Sequence, residues 1–305
     1  MNVAQMLVSG LISAAELGII AIGLTMTFSI LRFANFSHAS MAVVGAYLAY
    51  FLNVTLGAPL FLAFIVAVLA MGLFGVAVDT AIFRIMRNTG DLTPMITSLG
   101  LSLVIQYSVQ AIWGPQFLRY RYGVRPGLSL LGAHITAPQL GIIVVTTVAL
   151  FAFHALLKFT TLGKAMRATA TNPELAQACS IDVNTVIRAV WFIGTAFAGL
   201  GGMFFAWDTQ LDPYFGFNLI IPVFCVVLIG GVGSFYGAIA GALIIGLTEN
   251  VAINLNLASF LAPLGLASAG DDISLSSSYK PAVAYGLVVV LLLLRPSGIA
   301  QRELI

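Results

Sequence analysis

Charge is what this sequence lacks most. Only 8% of its 305 residues are charged, against about 25% in soluble proteins. That deficit excludes an ordinary soluble domain. With a net charge of +2 and no basic patch, nothing in it suits nucleic acid. Cysteine is nearly absent. Cys179 and Cys225 stand apart, without metal-ligand or redox spacing, and read as small apolar fillers. His38, His134 and His154 are scattered, with no H-E-x-x-H pair, and no serine sits in a G-x-S-x-G elbow. No catalytic or metal-binding residue is therefore nominated, and an enzyme is the weakest class. A phosphate loop is missing too. The nearest run, Thr161-Leu-Gly-Lys164, lacks both the first glycine and the hydroxyl after the lysine, so ATP hydrolysis by that route is excluded.

What the sequence has is apolar length. Hydrophobic residues make up 60% of it, and mean hydropathy is +1.04. Crossing a hydrocarbon core takes about 20 apolar residues in a helix, and several runs approach or reach that length. The fold class is all-α: a polytopic transmembrane helical bundle in one domain over 1–305, with broken helices and internal repeats. Nine segments are expected: Leu7–Leu31, Met41–Leu56, Leu60–Val78, Pro94–Trp113, Ala137–Leu157, Val186–Ala206, Phe217–Gly230, Ala238–Leu255 and Pro281–Leu294. Either glycine-rich or polar break could lie inside one broken helix, so eight to ten spans are compatible with the pattern. The N-terminus has no positive leader region, and the first run is read as an uncleaved span. Lys and Arg favour cytoplasmic loops. With the N-terminus outside, the inner side holds Arg32, Arg84, Arg87, Lys158, Lys164, Arg167, Arg188, Arg295 and Arg302. The outer side holds only Arg119, Arg121, Arg125 and Lys280, so this orientation is preferred and puts the C-terminus in the cytoplasm.

Three places interrupt the apolar runs. The longest polar stretch, Lys158–Arg188, falls in the cytoplasm. Within it Asn172-Pro173-Glu174 reads as a helix start: Asn caps, Pro fits the first helical position, and Glu suits the positive end of the dipole. It is either an ordinary loop or a short helix on which another protein pushes. The breaks at 33–40 and 230–237 share a form, polar or glycine residues running into a helix of small residues. Paired interruptions in the two halves of a transporter point to a substrate path. Asn35, Ser37, His38, Gly230, Gly231, Gly233 and Ser234 are the candidates, with a plain turn or close glycine packing as the alternative. The outer loop with Arg119, Tyr120, Arg121, Tyr122 and Arg125 is either an interfacial anchor or a docking surface. Glu16 and Glu249 are the carboxylates closest to membrane depth.

The order of motifs resembles a known family, the permease subunit of branched-chain amino acid ABC importers (the LivH type), over nearly the whole chain. The resemblance rests on Ile20-Ala-Ile-Gly23-Leu-Thr25-Met with Asn35-Phe36-Ser37-His38, and on Leu162-Gly163-Lys164-Ala165-x-Arg167-Ala168. It continues in Ile181-Asp182-Val183-Asn184, Asp212-Pro213-Tyr214-Phe215-Gly216, Gly230-Gly231-Val232-Gly233-Ser234-x-x-Gly237-Ala238 and Arg295-Pro296-Ser297-Gly298-Ile299. Two positions depart. Ala39-Ser40 stand where the family has Gly-Glu, and Ser180 stands where it has Gly. The resemblance implies a heteromeric importer in the bacterial inner membrane. Its partners would be a second related permease, two cytoplasmic ATPase subunits that bind the ATP, a periplasmic substrate-binding protein, and membrane lipid. This chain itself would hold no cofactor. Segment 158–188 becomes a coupling loop, with Thr171–Asp182 as the coupling helix and Gly163, Arg167, Pro173, Glu174, Ala176, Ser180 and Asp182 as its residues. Arg119, Arg121 and Arg125 would receive the binding protein. Loss of the carboxylate at 39–40 leaves urea, short amides or another small polar solute as alternatives to an amino acid. An ion-coupled secondary transporter is the rival from another class.

Overall fold

The computed structural model describes residues 3–87, 89–123, 127–130, 133–254, 276, 279–294 and 298–300. Arg125, Arg295, Pro296, Ser297, Arg302 and most of the stretch 268–280 lie outside the described residues.

The elements are α1 (Val3–Leu31), α2 (Ser37–Tyr50) running into a π-helical turn (Phe51–Thr55), α3 (Leu60–Ala81) with a 3-10 turn (Phe83–Met86), and α4 (Leu92–Trp113). A small hairpin follows, β1 (Leu128–Leu130) paired antiparallel with β2 (Ala133–Ile135). Then come α5 (Ala137–Phe159), α6 (Thr161–Thr171), α7 (Pro173–Ala178), α8 (Val183–Asp208), α9 (Phe215–Gly230), α10 (Phe235–Asn254) and α11 (Lys280–Leu294). Each of the nine expected segments coincides with a helix. Six of these, α1, α3, α4, α5, α8 and α10, are long and apolar enough to cross a bilayer, and α9 and α11 are shorter apolar helices. This is a multi-pass helical membrane bundle. The hairpin in the loop before α5 is a feature the all-α expectation did not contain.

Small residues decide which helices are central. Lipid is as apolar as leucine, so helices associate through close packing rather than through hydrophobic burial. Along α1, Gly10, Ala14 and Gly18 lie against Leu247, Gly246 and Ala242 of α10, and Gly23 lies against Gly194 of α8. Accordingly α1 and α8 are the most buried spans, 67% of each apolar window, whereas α5 is 22% buried and turns Val148 and Phe151 outward.

Several helices begin earlier than the apolar pattern suggests, and in two of them a polar side chain accounts for the early start. The second span starts at Ser37, not Met41, because the Asn35 side chain accepts the Ser37 N–H (3.1 Å) and satisfies one of the free amides of the first turn. Similarly α10 starts at Phe235, not Ala238. Ser234 Oγ accepts the Gly237 N–H at 3.0 Å, an N-cap bond.

At the end of the bundle where α1 finishes, an ion pair ties three elements together. Asp79 of α3 is 1% exposed. Arg87 Nη2 donates to both of its oxygens (2.8 and 2.6 Å), and Nη1 donates to Asn184 Oδ1 at the start of α8 (2.9 Å). Removing one partner leaves a buried charge uncompensated. Arg87→Ala is expected to cost about 3 kcal/mol, less the part that solvent at Arg87 recovers. Pairing it with Asp79→Asn should restore most of that loss. Thermal unfolding of the detergent-solubilised protein checks both; equal instability of the single and double variants contradicts the role of the pair.

Candidate functional site

The path from α1 to α2 turns back into the bundle. Arg32 ends α1 in the left-handed region (φ 59°), with its N–H on Phe28 O at 2.9 Å. Phe33 then stacks on Phe83, which stacks on Trp191. Phe36 N–H donates to Ser98 Oγ of α4 (3.0 Å), which itself donates to Met95 O. Ser37 Oγ donates to Asn35 Oδ1 at 2.7 Å. His38 reaches Ile20 of α1, its Nε2 lying 3.2 Å from the Ile20 carbonyl, a contact that places the ring proton on Nε2. Gly23 makes the room: a Cβ there would meet Gly194 O at 2.5 Å and His38 Nε2 at 2.8 Å. Ile20 precedes the end of α1 by eleven residues, so the imidazole sits about 16 Å along the helix from that end, near the middle of a core of about 30 Å.

Asn35, Ser37 and His38 are all buried. Asn35 Nδ2 and His38 Nδ1 have no hydrogen-bond partner among the described residues. A donor and an acceptor left free at this depth are costly unless something polar visits them.

The second break is shallower. Gly231 (φ 99°) and Gly233 (φ 91°) adopt the left-handed region that favours glycine, and Gly233 O accepts from Ser29 Oγ (3.3 Å), two residues before the end of α1. Residues from the far end of the chain close the break. Ile299 N–H donates to Ile229 O (2.8 Å) and Ala300 N–H to Gly230 O (3.1 Å). Ser234 is buried and serves as the α10 cap. A cavity of about 530 Å³ opens here, lined by Ser29, Arg32, Ala170, Val232 and Gly233 among others. The first break therefore runs inward from the end of α1 until the His38 ring reaches mid-bundle, whereas the second stays at that end.

The polar stretch 158–188 folds as two short helices, where the sequence suggested one. Thr160 Oγ1 caps α6 by accepting from Gly163 N–H (3.0 Å). Gly163 is obligatory, since a Cβ would sit 2.3 Å from Leu157 O at the end of α5. Asn172 caps α7 as expected, its Oδ1 taking the Leu175 N–H at 3.0 Å, with Pro173 in the first position. The helix ends in a Schellman arrangement. Ile181 N–H returns to Ala176 O and Ser180 N–H to Gln177 O, with Ser180 in the left-handed conformation (φ 65°). A serine thus occupies a position where glycine carries no steric cost. Asp182 then caps α8, accepting from Asn184 N–H and from the Thr185 hydroxyl. These bonds, Thr185's first, hold its carboxyl below the ordinary aspartate range. The folded-state value is depressed, so the cap is complete at neutral pH and weakens as pH falls through that value.

Three arginines fasten this stretch to the spans. Arg167 donates to Leu157 O of α5, Arg32 reaches Ala170 O near the end of α6 at 3.5 Å, and Arg87 holds Asn184. Of the expected coupling residues, Glu174, Ser180 and Asp182 are exposed, while Gly163 and Ala176 are buried against the protein. A bulky residue at Ala176 would disturb the seat of α7 itself. Leu175, which sequence reasoning did not single out, is 61% exposed on the face of α7.

At the opposite end, Arg119 and Arg121 are exposed, flanking a buried Tyr120 whose hydroxyl donates to Ala46 O of α2 (3.0 Å). The Arg121 N–H donates to Asn53 Oδ1 (2.7 Å), and Leu118 bridges to Leu211. The tyrosine anchors the loop and the arginines face out.

A family model described as "Branched-chain amino acid transport system / permease component" matches residues 6–294. The chain is 30% identical to the high-affinity branched-chain amino acid transport system permease protein BraD of Pseudomonas aeruginosa, over 98% of this chain and 95% of that protein. It is 28% identical to LivH of Escherichia coli, described in the same words, with the same coverage. Among solved structures, PsaBC from Streptococcus pneumoniae in complex with Fab is similar at 18% identity and a TM-score of 0.48, over 97% of this chain and 93% of that one. The match over 6–294, on a bundle with this order of spans, breaks and capped helices, means that the chain belongs to the permease-component family of branched-chain amino acid transport systems.

Proposed function

We propose that this chain is the membrane-spanning subunit of an ATP-driven importer of branched-chain amino acids. The observation that carries the reading is the family match over residues 6–294. Two features of the fold support it. The coupling segment is a rigid, capped unit, and it is pinned to the ends of α1, α3, α5 and α8 by Arg32, Arg167 and Arg87.

In this reading the Leu31 end faces the cytoplasm of a bacterial cell and the N-terminus lies outside. Arg32, Arg84, Arg87, Lys158, Lys164, Arg167 and Arg188 gather at the inner end, against Arg119, Arg121 and Lys280 at the other, which fits the positive-inside preference. Two ATPase subunits bind and hydrolyse ATP, and one of them takes α7 through Leu175 and Glu174. A second, related permease completes the pathway. A periplasmic binding protein delivers the substrate to the outer loop at Arg119 and Arg121. The chain itself carries no catalytic group.

Closure of the ATPases moves α7. Because α7 follows α6 directly, and α6 is tied to the carbonyl ends of α5 and α1, the displacement reaches the spans without a flexible joint. Arg87 and Asn184 extend it to α3 and α8. The turn at 33–38 hangs between the end of α1 and Ser98 of α4, so it is placed to change shape as those helices rock. In the open form the Asn35 amide and His38 Nδ1 offer a donor and an acceptor to a passing solute, and the carbonyls around Gly231–Gly233 line the exit. ATP shifts the population because the ATPase pair contacts the two states differently.

The test is uptake by the chain reconstituted with its binding protein, second permease and ATPases. ATP-dependent accumulation of leucine, isoleucine and valine, not competed by urea or acetamide, is expected. Accumulation driven by an ion gradient without the ATPases contradicts the reading. Leu175→Asp is expected to lower ATP-driven uptake about tenfold, as loss of an interface anchor does, with membrane level and thermal stability unchanged. His38→Ala should lower uptake while leaving ATPase binding intact. Full uptake by the His38 variant removes the turn from the path.

A further inference from the structure

A second cavity, about 310 Å³, lies where the buried turn, the α3–α4 connection, the coupling helices and α8 meet. By volume it holds about ten waters. Its floor is apolar, with Leu31, Phe33, Phe83 and Ile187 among the lining residues. Three polar groups border it. The Thr169 side chain is 2% exposed, and its hydroxyl has no partner among the described residues. Arg87 Nε is likewise buried and free, although both terminal nitrogens of that guanidinium are engaged by Asp79 and Asn184. Asp91 stands at the N-cap position of α4 but accepts no capping bond.

The charges select the ligand. Asp79 neutralises Arg87, so among the described residues lining the cavity the Asp91 carboxylate is the charge without an ion-pair partner. A phosphate-like anion would meet Asp91 and find only one free N–H on Arg87. A bare metal ion would find a single carboxylate among apolar walls, where hard cations take six or more oxygens. A molecule with an ammonium for Asp91, an acceptor for Arg87 Nε–H and Thr169 Oγ–H, and an aliphatic body for the floor satisfies every group. We infer that this cavity is a binding site for an aliphatic α-amino acid, distinct from the Asn35 and His38 polar groups and set between the turn that carries them and the coupling helices. The chemistry of the lining points to this class by itself; choosing leucine as the probe rests on the proposed function.

Such a site has a consequence for transport. Its walls belong to α6 and α7 on one side and to Phe33 on the other. A bound amino acid holds those walls at one spacing and so favours one state of the cycle. Amino acid accumulating on the inner side would slow its own further entry.

The test uses the assembled importer with Cys179→Ser and Met86→Cys, a cysteine on the cavity wall, and reads the rate of maleimide labelling. Leucine is expected to slow labelling. 3-Methylbutylamine, which lacks the acceptor, and 4-methylpentanoate, which lacks the ammonium, are expected to protect far less. Adding Asp91→Asn should weaken the protection by leucine about tenfold, the loss of one charge-assisted contact; Asp91 is exposed, so its replacement does not threaten folding. The ratio of uptake in leucine-preloaded to empty vesicles should be low in the parent and restored by Asp91→Asn. Absence of protection by millimolar leucine, or protection indifferent to Asp91→Asn, overturns the site. Protection that persists when leucine uptake fails supports the site and counts only against the transport reading; uptake without protection removes the site alone.

Discussion

Inside a bilayer no water is available to a backbone amide, so every N–H and C=O must find its partner within the protein. Helices meet that demand automatically; breaks do not. This chain turns back into the bundle at 33–36, and that turn persists because neighbours serve it. Ser98 takes the Phe36 amide, Asn35 takes the Ser37 amide, and Phe33 is wedged against Phe83. The surrounding packing follows from the turn. Gly23 and Gly194 bring α1 and α8 close enough to leave a slot for His38. Within the turn, the side-chain atoms Asn35 Nδ2 and His38 Nδ1 are left without a partner among the described residues. Under the proposed function, these two atoms are the ones the turn offers to a passing solute.

The same economy appears at the end of the bundle where α1 finishes. Helix C-termini leave carbonyls unpaired, and here arginines take them: Arg167 at α5 and Arg32 at α6. The interactions that complete the helices are thus the ones that fasten the α6–α7 unit to the spans. Asp79, Arg87 and Asn184 do the same for α3 and α8. Under the proposed function, stability and force transmission rest on one set of contacts, and movement of the segment carries the helices with it. The cavity bounded by Thr169, Arg87 and Asp91 sits inside this frame, where a small molecule could hold it still.

Most of the fold was legible because its signals are local. Apolar run length located nine helices, and Asn172-Pro173-Glu174 announced the start of α7 through residues that serve that start in space. The starts of α2 and α10 were misplaced by a few residues because Asn35 and Ser234 look like loop residues while acting as helix starters. Contacts between distant positions left no such trace. Arg87 and Asn184 are 97 residues apart, and nothing in either neighbourhood announces the other. Leu175 and Ala176 are adjacent apolar residues on a six-residue helix; only the packing of α7 tells which faces out. The depth of the two breaks was equally hidden, since it depends on which residue of α1 each one meets.

The central claim is that α7 is the point where an ATPase subunit engages the spans. Cross-linking tests it most directly. With Cys179→Ser as background, Leu175→Cys is introduced and the assembled importer is treated with a short bismaleimide. The account predicts a cross-link from position 175 to the ATPase subunit, its yield changing between nucleotide-free and ATP-bound states, and none from Tyr122→Cys at the opposite end. An actively transporting complex that gives no such cross-link from 175, or a position 175 labelled by impermeant maleimide from outside intact cells, would contradict it.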